Sequence, residues 1–211
     1  MNNRARRPTS MVVTIVLLPL VLGLVPAGCS AGFDLSCGET TSETKTYVDE
    51  DYGYSFQYPG DWIVQQGGTA DVTAGSGSEG GVSVYDPDGA VAGDYYIDLF
   101  QVSVYELAVA VEESMMSEIK SEVESMLNDL EAQGGWTRTE DLSDASVNAI
   151  DGYRVTYTST TDGTPTTSTF YFLFAGDLEY QLTLQAATEN WDEKQPEFEA
   201  IVAGFQPGAG R

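Results

Sequence analysis

The sequence predicts an α+β fold in which an antiparallel β-sheet is sandwiched by helices. Strand-like runs and helical runs are grouped separately along the chain instead of alternating, which is typical of this class. Residues 170–174 are apolar at every position, so they predict a central strand with a helix over each face. A hydrophobic content of 42%, with 8 Phe, 12 Tyr and 3 Trp, is enough to build a packed core.

The first part of the domain is predicted to begin with a β-hairpin. Residues 54–58 alternate between aromatic and polar side chains, and residues 61–66 are predicted to pair with them across Pro59-Gly60. The next predicted elements are a loop over 67–81 and a short strand over 81–85. A turn at Asp86-Pro87-Asp88-Gly89 and a longer strand over 95–104 follow.

A long amphipathic helix is predicted after these strands. Apolar residues recur every three or four positions from Leu107 to Leu130, and acids occupy much of the opposite face. Gly134-Gly135 is a helix stop signal. The helix is therefore expected to bury one stripe of side chains and to expose its acids to water.

The last part of the chain predicts an antiparallel meander closed by a short helix over 195–203. Strands are predicted over 136–140 and 147–150, with hairpin turns at Asp151-Gly152, Asp162-Gly163 and Gly176-Asp177. In the final strand four apolar residues alternate with four polar ones, Glu179, Gln181, Thr183 and Gln185. This alternation predicts one buried face and one solvent-exposed face.

The N-terminal residues are typical of an export signal. Three arginines, an uncharged apolar run over 11–25 and the small residues Ala27-Gly28 precede Cys29. Ala27-Gly28-Cys29 resembles the end of a bacterial lipobox, although Pro26 replaces the preferred Leu. We predict a signal peptide over 1–28, a lipid-anchored flexible tether over 29–45, a domain over 46–207 and a disordered tail over 208–211. The alternative is ordinary cleavage and a soluble secreted product.

The charge of the chain limits its partners. Residues 1–28 contain three of the nine basic residues and none of the 33 acids, so their removal changes the net charge from −24 to −27. Such a surface repels nucleic acid and anionic lipid head groups. We therefore expect contact with the membrane through the N-terminal lipid and no binding to nucleic acid. A protein partner and a cation are further alternatives.

The sequence predicts no catalytic, cofactor-binding or metal-binding residue. Because the chain has no histidine, Ser–His–Asp and Cys–His catalysis are excluded, and zinc and copper lose their commonest ligand. The glycine-rich run over 75–80 matches G-x-G-x-x-G but precedes a predicted strand instead of a helix, so it is interpreted as a loop. Asp86-Pro87-Asp88-Gly89 is interpreted as a turn, since Ile97 stands where a calcium loop needs a carboxylate. Cys37 is left as a lone thiol if Cys29 is acylated, and a small Cys29–Cys37 loop is the alternative.

Both ends of the predicted domain resemble the PsbP family, which comprises the extrinsic photosystem II subunit and its bacterial relatives. Tyr52-Gly53-Tyr54-Ser55-Phe56, followed by Tyr58-Pro59 and Asp61-Trp62, is similar to the opening of that family, and a hairpin, a helix and Gly204-Phe205 are similar to its close. The resemblance implies an antiparallel sheet between helices. It carries over no metal ligand, because no position matches the ligands of the photosynthetic member.

The expected function is a non-catalytic one. We expect a membrane-anchored extracytoplasmic lipoprotein that binds, docks or stabilises a partner at the outer face of the membrane. One alternative is an enzyme that uses carboxylates only, which a pocket with two close acids of raised pKa would favour. The other is a low-affinity cation-binding module, which a cluster of acids from different strands would favour.

Overall fold

The structure is a computed structural model that describes residues 43–66, 80–93 and 95–208. Its centre is a seven-stranded antiparallel sheet with the strand order β3-β4-β7-β11-β10-β9-β8. Two short two-stranded sheets, β1-β2 and β5-β6, accompany it. The strands are β1 Thr44–Val48, β2 Ser55–Pro59, β3 Ile63–Gln66, β4 Gly80–Tyr85, β5 Val91–Ala92, β6 Tyr95–Tyr96, β7 Leu99–Glu106, β8 Thr137–Val147, β9 Ile150–Thr161, β10 Thr164–Ala175 and β11 Leu178–Ala187. This architecture confirms the α+β prediction.

Helix α1, Met116–Gln133, covers one face of strands β9 and β10. Its buried residues Ile119, Val123 and Leu127 form one cluster with the aromatic side chains of these strands. Arg138 of β8 fixes the helix further, since its guanidinium lies 2.6 Å from Glu124 Oε1 and 2.7 Å from Glu131 Oε1. Salt bridges of this kind position the helix, while burial of its apolar stripe supplies most of the stabilisation.

Helix α1 begins later than the sequence predicts. The periodic pattern starts at Leu107, but residues 107–111 run along the β10–β11 turn, where Leu107 N donates to Asp177 O at 2.7 Å and Val111 N donates to Gly176 O at 2.7 Å. These residues obtain backbone partners from the sheet, so a helix has no advantage for them. The predicted helix end is confirmed, because Gly134 and Gly135 both have positive φ.

Helix α2, Trp191–Ala203, lies in a second cluster on the opposite face of the sheet. The cluster joins Phe198 and Ile201 of the helix to Tyr171 and Leu173 of β10, and to aromatic residues of the β1-β2 hairpin. Phe170, Phe172 and Phe174 point to the α1 side instead. Residues 170–174 therefore lie in an inner strand between the two helical layers, as predicted.

The pairing of β2 differs from the predicted one. It pairs with β1, for example Tyr47 with Phe56, and not with residues 61–66. Trp62 N donates to Pro59 O at 3.0 Å, so the chain turns there and leaves the hairpin. Strand β3 then pairs with β4 at the edge of the large sheet. The prediction failed because strand β1, which begins at the end of the predicted tether and continues into the predicted domain, was not recognised.

The predicted turn at Asp151-Gly152 is wrong. Both residues lie inside β9, and the chain reverses at Asn148 and Ala149, which have φ values of 47° and 65°. The strand predicted over 136–140 is part of the longer, bulged strand β8, whereas the one predicted over 147–150 spans the end of β8, the turn and the first residue of β9. Turns at Asp162-Gly163 and Gly176-Asp177 are confirmed.

Several predicted features lie outside the described residues. They are the signal peptide, Cys29, Cys37, most of the tether, the glycine-rich run over 75–79 and residues 209–211. Within the described ranges, neither helix combines the length and the apolar character needed to cross a bilayer.

Candidate functional site

A set of polar side chains lies on the α1 side of strands β4, β7 and β11, beside the area that α1 itself covers, and Tyr85 and Leu99 share one row of this side with Gln185. The register places these side chains on one face, because directly paired residues of antiparallel strands point to the same side. We call this surface the polar face. Its members are Ser83, Gln101, Ser103, Tyr105, Glu179, Gln181, Thr183 and Gln185.

Hydrogen bonds link several members of the polar face. Ser83 Oγ donates to Gln101 Oε1 at 3.3 Å, and Gln101 Nε2 donates to Ser103 Oγ at 3.1 Å. Ser103 is in turn hydrogen-bonded to Tyr105. This chain of amide and hydroxyl groups fixes the orientation of each side chain, so donors and acceptors stand at defined positions.

Glu179 is the one acid of the polar face. It is 1% exposed, and Gln181 Nε2 donates to its Oε1 at 2.9 Å. Burial raises the pKa of Glu179 to about 7, and the hydrogen bond from Gln181 opposes this rise. Burial also raises the pKa of Tyr105, and the charge of nearby Glu179 adds to this rise. A substantial fraction of Glu179 is therefore protonated at neutral pH, when the carboxyl can donate a hydrogen bond as well as accept one.

The sequence assigned this side of β11 to solvent, and that interpretation is wrong. Glu179, Thr183 and Gln185 are all buried, and Gln181 is half-buried. Gln185 Oε1 accepts from Ser168 Oγ at 3.2 Å, and its Nε2 donates to Ile97 O at 3.2 Å. On this inner strand the polar side chains bond to neighbouring protein groups, where those of an edge strand would meet water. The sequence pattern that could have indicated this polar face is the set of four polar residues that alternate along the strand.

Gln65 of β3 extends the polar face by one strand. It pairs with Ser83 and therefore points to the same side. Its Oε1 is buried and has no hydrogen-bond partner within the described part of the chain. An unpaired buried carbonyl oxygen costs free energy, and its burial keeps this atom away from bulk solvent.

The described residues provide no group of three or more acids or cysteines suited to a metal ion. Asp86-Pro87-Asp88-Gly89 forms a turn, in which Asp86 Oδ1 accepts from Asp88 N at 2.9 Å. The other oxygen of Asp86 contacts Lys194 Nζ. Asp98 accepts from Ala90 N and Ala187 N, both at 3.0 Å. These carboxylates therefore bind the domain's own donors.

The arrangement of the acids does not favour carboxylate catalysis. Besides Glu179, burial raises the pKa of Glu197, although Lys194 opposes this rise. Glu197 lies on α2, which packs on the opposite face of the sheet from Glu179. Two acids that share a substrate must lie on the same side of the molecule, and this pair does not.

The chain belongs to the PsbP-like protein family, whose model matches residues 36–206. This match confirms the resemblance and covers the whole sheet and both helices. No curated protein matches the sequence significantly.

Solved structures support the same fold. Cyanobacterial PsbP (CyanoP) from Synechocystis sp. PCC 6803 is 18% identical with a TM-score of 0.50, over 82% of this chain and 97% of that one. LpqN of Mycobacterium tuberculosis, which is involved in cell envelope biogenesis, is 11% identical with a TM-score of 0.51, over 79% and 91% of the two chains. A protein from Bacteroides thetaiotaomicron VPI-5482 is 18% identical with a TM-score of 0.52, over 78% of this chain. The match spans about half of that protein, 48% of its length. At these identities the likeness is one of fold.

Proposed function

We propose that this chain is an exported, lipid-anchored PsbP-like protein that works at the outer face of the membrane by binding, without catalysing a reaction. The observation that carries the binding role is the polar face. It holds oriented amides, hydroxyls and one carboxyl, but pairs no nucleophile with a base. Such a surface recognises a ligand by hydrogen bonds.

The N-terminal sequence supports the anchor. A basic stretch, an apolar run and small residues lead to Cys29, as in a lipoprotein signal. Residues 30–43 lie between this cysteine and β1, and would reach at most about 50 Å when extended. The domain would therefore stay close to the membrane, while its acidic surface is repelled from anionic lipid head groups.

The anchor is tested by replacing each cysteine separately. We expect mass spectrometry of the native protein to find an N-terminus at Cys29 that carries a diacylglycerol group. Cys29→Ser should release the domain from the membrane fraction, and Cys37→Ser, the matched control, should leave it there. An unmodified N-terminus at Ser30 or later, or equal fractionation of both variants, would contradict the lipid anchor.

The cation-binding alternative rests on the charge alone. The net charge of −24 attracts cations, but the described residues do not gather three acids at one point. The charge therefore favours a diffuse ion atmosphere over a site with a preferred ion.

A further inference from the structure

A largely buried lysine connects the first turn of helix α2 to the turn that follows strand β4. Lys194 Nζ contacts Asp86 Oδ2, and the two side chains are 20% and 11% exposed. Trp62, which is buried, lies beside this pair with its ring centroid 6.0 Å from the nitrogen. Glu197, three residues further along α2, has its Oε2 3.7 Å from the same nitrogen. An amino group, a carboxyl group and a second acid are therefore held together with little access to water.

The carboxyl group of Asp86 is oriented by the backbone around it. The Asp86 N–H donates to Asp98 O at 3.0 Å, and Asp86 Oδ1 accepts from Asp88 N at 2.9 Å. These bonds leave Oδ2 facing Lys194. The N–H aimed at Oδ1 also stabilises negative charge that develops on this oxygen when a nucleophile attacks the carboxyl carbon. The site therefore contains a positioned nucleophile, a positioned carboxyl carbon and a donor for the resulting oxyanion.

Another lysine–aspartate pair shows what is particular to this site. Lys120 Nζ lies 2.6 Å from Asp144 Oδ1, but the two side chains are 40% and 82% exposed. Water solvates both charges there, so that pair is expected to remain an ordinary surface salt bridge. Contact alone does not make a lysine react with an acid, whereas contact combined with burial and a nearby proton carrier does.

The protonation states of the three groups determine how fast they can react. Burial lowers the pKa of Lys194, but the hydrogen bond and the charge of Asp86 outweigh this effect, so the net shift is upward. The resting pair is therefore an ammonium and a carboxylate, and the reactive neutral pair is a minor form. Burial raises the pKa of Glu197, Lys194 opposes this rise, and the charge of Asp86 adds to it. Glu197 is thus suited to take up a proton and to return it.

We propose that Lys194 and Asp86 form an intramolecular isopeptide bond, with Glu197 as the group that transfers a proton. One proton first passes from the Lys194 ammonium to Asp86 Oδ2. The nitrogen lone pair then forms a bond to Asp86 Cγ, and the negative charge develops on Oδ1. Glu197 takes a proton from this nitrogen and delivers it to Oδ2, the Cγ–Oδ2 bond breaks, and Oδ2 leaves as water. The products are one amide and one water molecule, and Glu197 returns to its starting state.

The fixed contact between the two groups is what allows this bond to form. An amine and a carboxylate that are free in water do not condense, whereas positioned groups reach effective concentrations of about 10⁵–10⁸ M. Because the neutral pair is a minor form, the bond should form slowly and accumulate in the folded protein. It joins two elements far apart in sequence, so it restricts the unfolded chain as a disulfide does. This inference is independent of the proposed binding function.

The test is a tryptic digest of the full protein, which is kept folded for several days after purification and then denatured. Trypsin cleaves after Lys and Arg, so an unlinked chain yields the fragments 46–120, 155–194 and 195–211. The isopeptide bond blocks cleavage at Lys194 and joins fragment 46–120 to fragment 155–211, with the loss of one water molecule. We expect mass spectrometry to find this branched species and tandem fragmentation to locate the bond at Asp86 and Lys194. The result does not depend on the lipid anchor, because these fragments begin after Lys45.

Three variants test the chemistry, with circular dichroism to show that each is folded. Lys194→Arg keeps a cation beside Asp86 but removes the amine, so it should give no branched species. Glu197→Gln removes the proton carrier, so linkage should be slower by about a hundredfold or more. Lys120→Arg, the matched control in the exposed pair, should form the branched species like the parent.

The possible results are clearly separated. A parent protein that yields only the unlinked fragments after this time would overturn the proposal and leave Lys194 and Asp86 as an ion pair. Linkage at the same rate in the parent and in Glu197→Gln would overturn the role of Glu197. A bond between Lys120 and Asp144 would contradict the argument from burial.

Discussion

At the residue scale, Glu179 departs furthest from its sequence-based interpretation. An acid that alternates with leucines on a strand is normally placed in water, yet this one is 1% exposed and receives a hydrogen bond from Gln181. Keeping the carboxylate ionised there is costly, so burial raises its pKa to about 7. The residue therefore links the stability of the domain to pH.

The pH dependence of stability is the first consequence. The Glu179 carboxyl ionises near pH 4.5 when unfolded and near pH 7 when folded. Between these values the folded state keeps a proton that the unfolded state releases, so the free energy of unfolding should fall as pH rises and level off above about 7. The fall due to Glu179 alone is about 3 kcal/mol.

Urea unfolding of the parent and of Glu179→Gln, from about pH 4 to pH 8, measures this effect. The difference between the free energies of unfolding of the two proteins reports on Glu179 alone, because the repulsion among the other acids is common to both. Glu122→Gln, an exposed change on α1, is the control and should follow the parent. If the parent and Glu179→Gln keep a constant difference across the whole range, Glu179 titrates normally and is not buried as described.

At the element scale, strand β9 shows why a turn motif can be misleading. Asp151-Gly152 has the composition of a hairpin turn but lies within strand β9, near one end of its pairing with β10, where Gly152 is opposite Leu173. An ideal Cβ at Gly152 would lie 1.9 Å from Phe172 O. The glycine is therefore required by the close approach of the neighbouring strand, and not by a change of chain direction.

Gly152→Ala should destabilise the domain by about 1–3 kcal/mol, because the added methyl group forces β9 and β10 apart. Asp151→Ala changes the exposed neighbouring residue on the same strand and should have an effect within about 0.5 kcal/mol. The free energy of unfolding in urea gives both values. Equal midpoints for Gly152→Ala and the parent would mean that the two strands are not as close at this position.

Helix α1 gives a contrasting result at the same scale. Its apolar stripe and its end at Gly134-Gly135 were predicted correctly, because both signals are local. Its start was placed too early, because residues 107–111 continue the apolar pattern while their N–H groups bind the β10–β11 turn. Periodicity predicts which face is buried, but it does not distinguish a helix from an extended segment that packs on the same cluster.

At the scale of the whole molecule, the dominant property is the charge. With 33 acids against 9 basic residues, the folded chain repels itself, and exposed charges are screened over about 10 Å at 0.1 M salt. We therefore expect NaCl, CaCl₂ and MgCl₂ to raise the melting temperature by similar amounts at equal ionic strength.

A specific cation site would give a different profile. Its stabilisation follows RT ln(1 + [L]/Kd), with selectivity for one ion at concentrations too low for screening. Thermal unfolding in the three salts at matched ionic strength distinguishes the two cases. A rise of several degrees caused by sub-millimolar Ca²⁺ alone would favour the cation-binding alternative.

The sequence by itself determined the features that depend on composition and on neighbours a few residues apart. These are the charge, the α+β class, the buried stripe of α1 and the turns at Asp162-Gly163 and Gly176-Asp177. Only the tertiary structure decided that β2 pairs with β1, that Gly152 lies inside a strand, and that Glu179 is buried beside Tyr105 and Gln181. The reason is that strand pairing joins residues far apart in sequence. The environment of a polar side chain on a strand depends on the elements that flank and cover that strand. The alternation of residues within the strand gives no information about those elements.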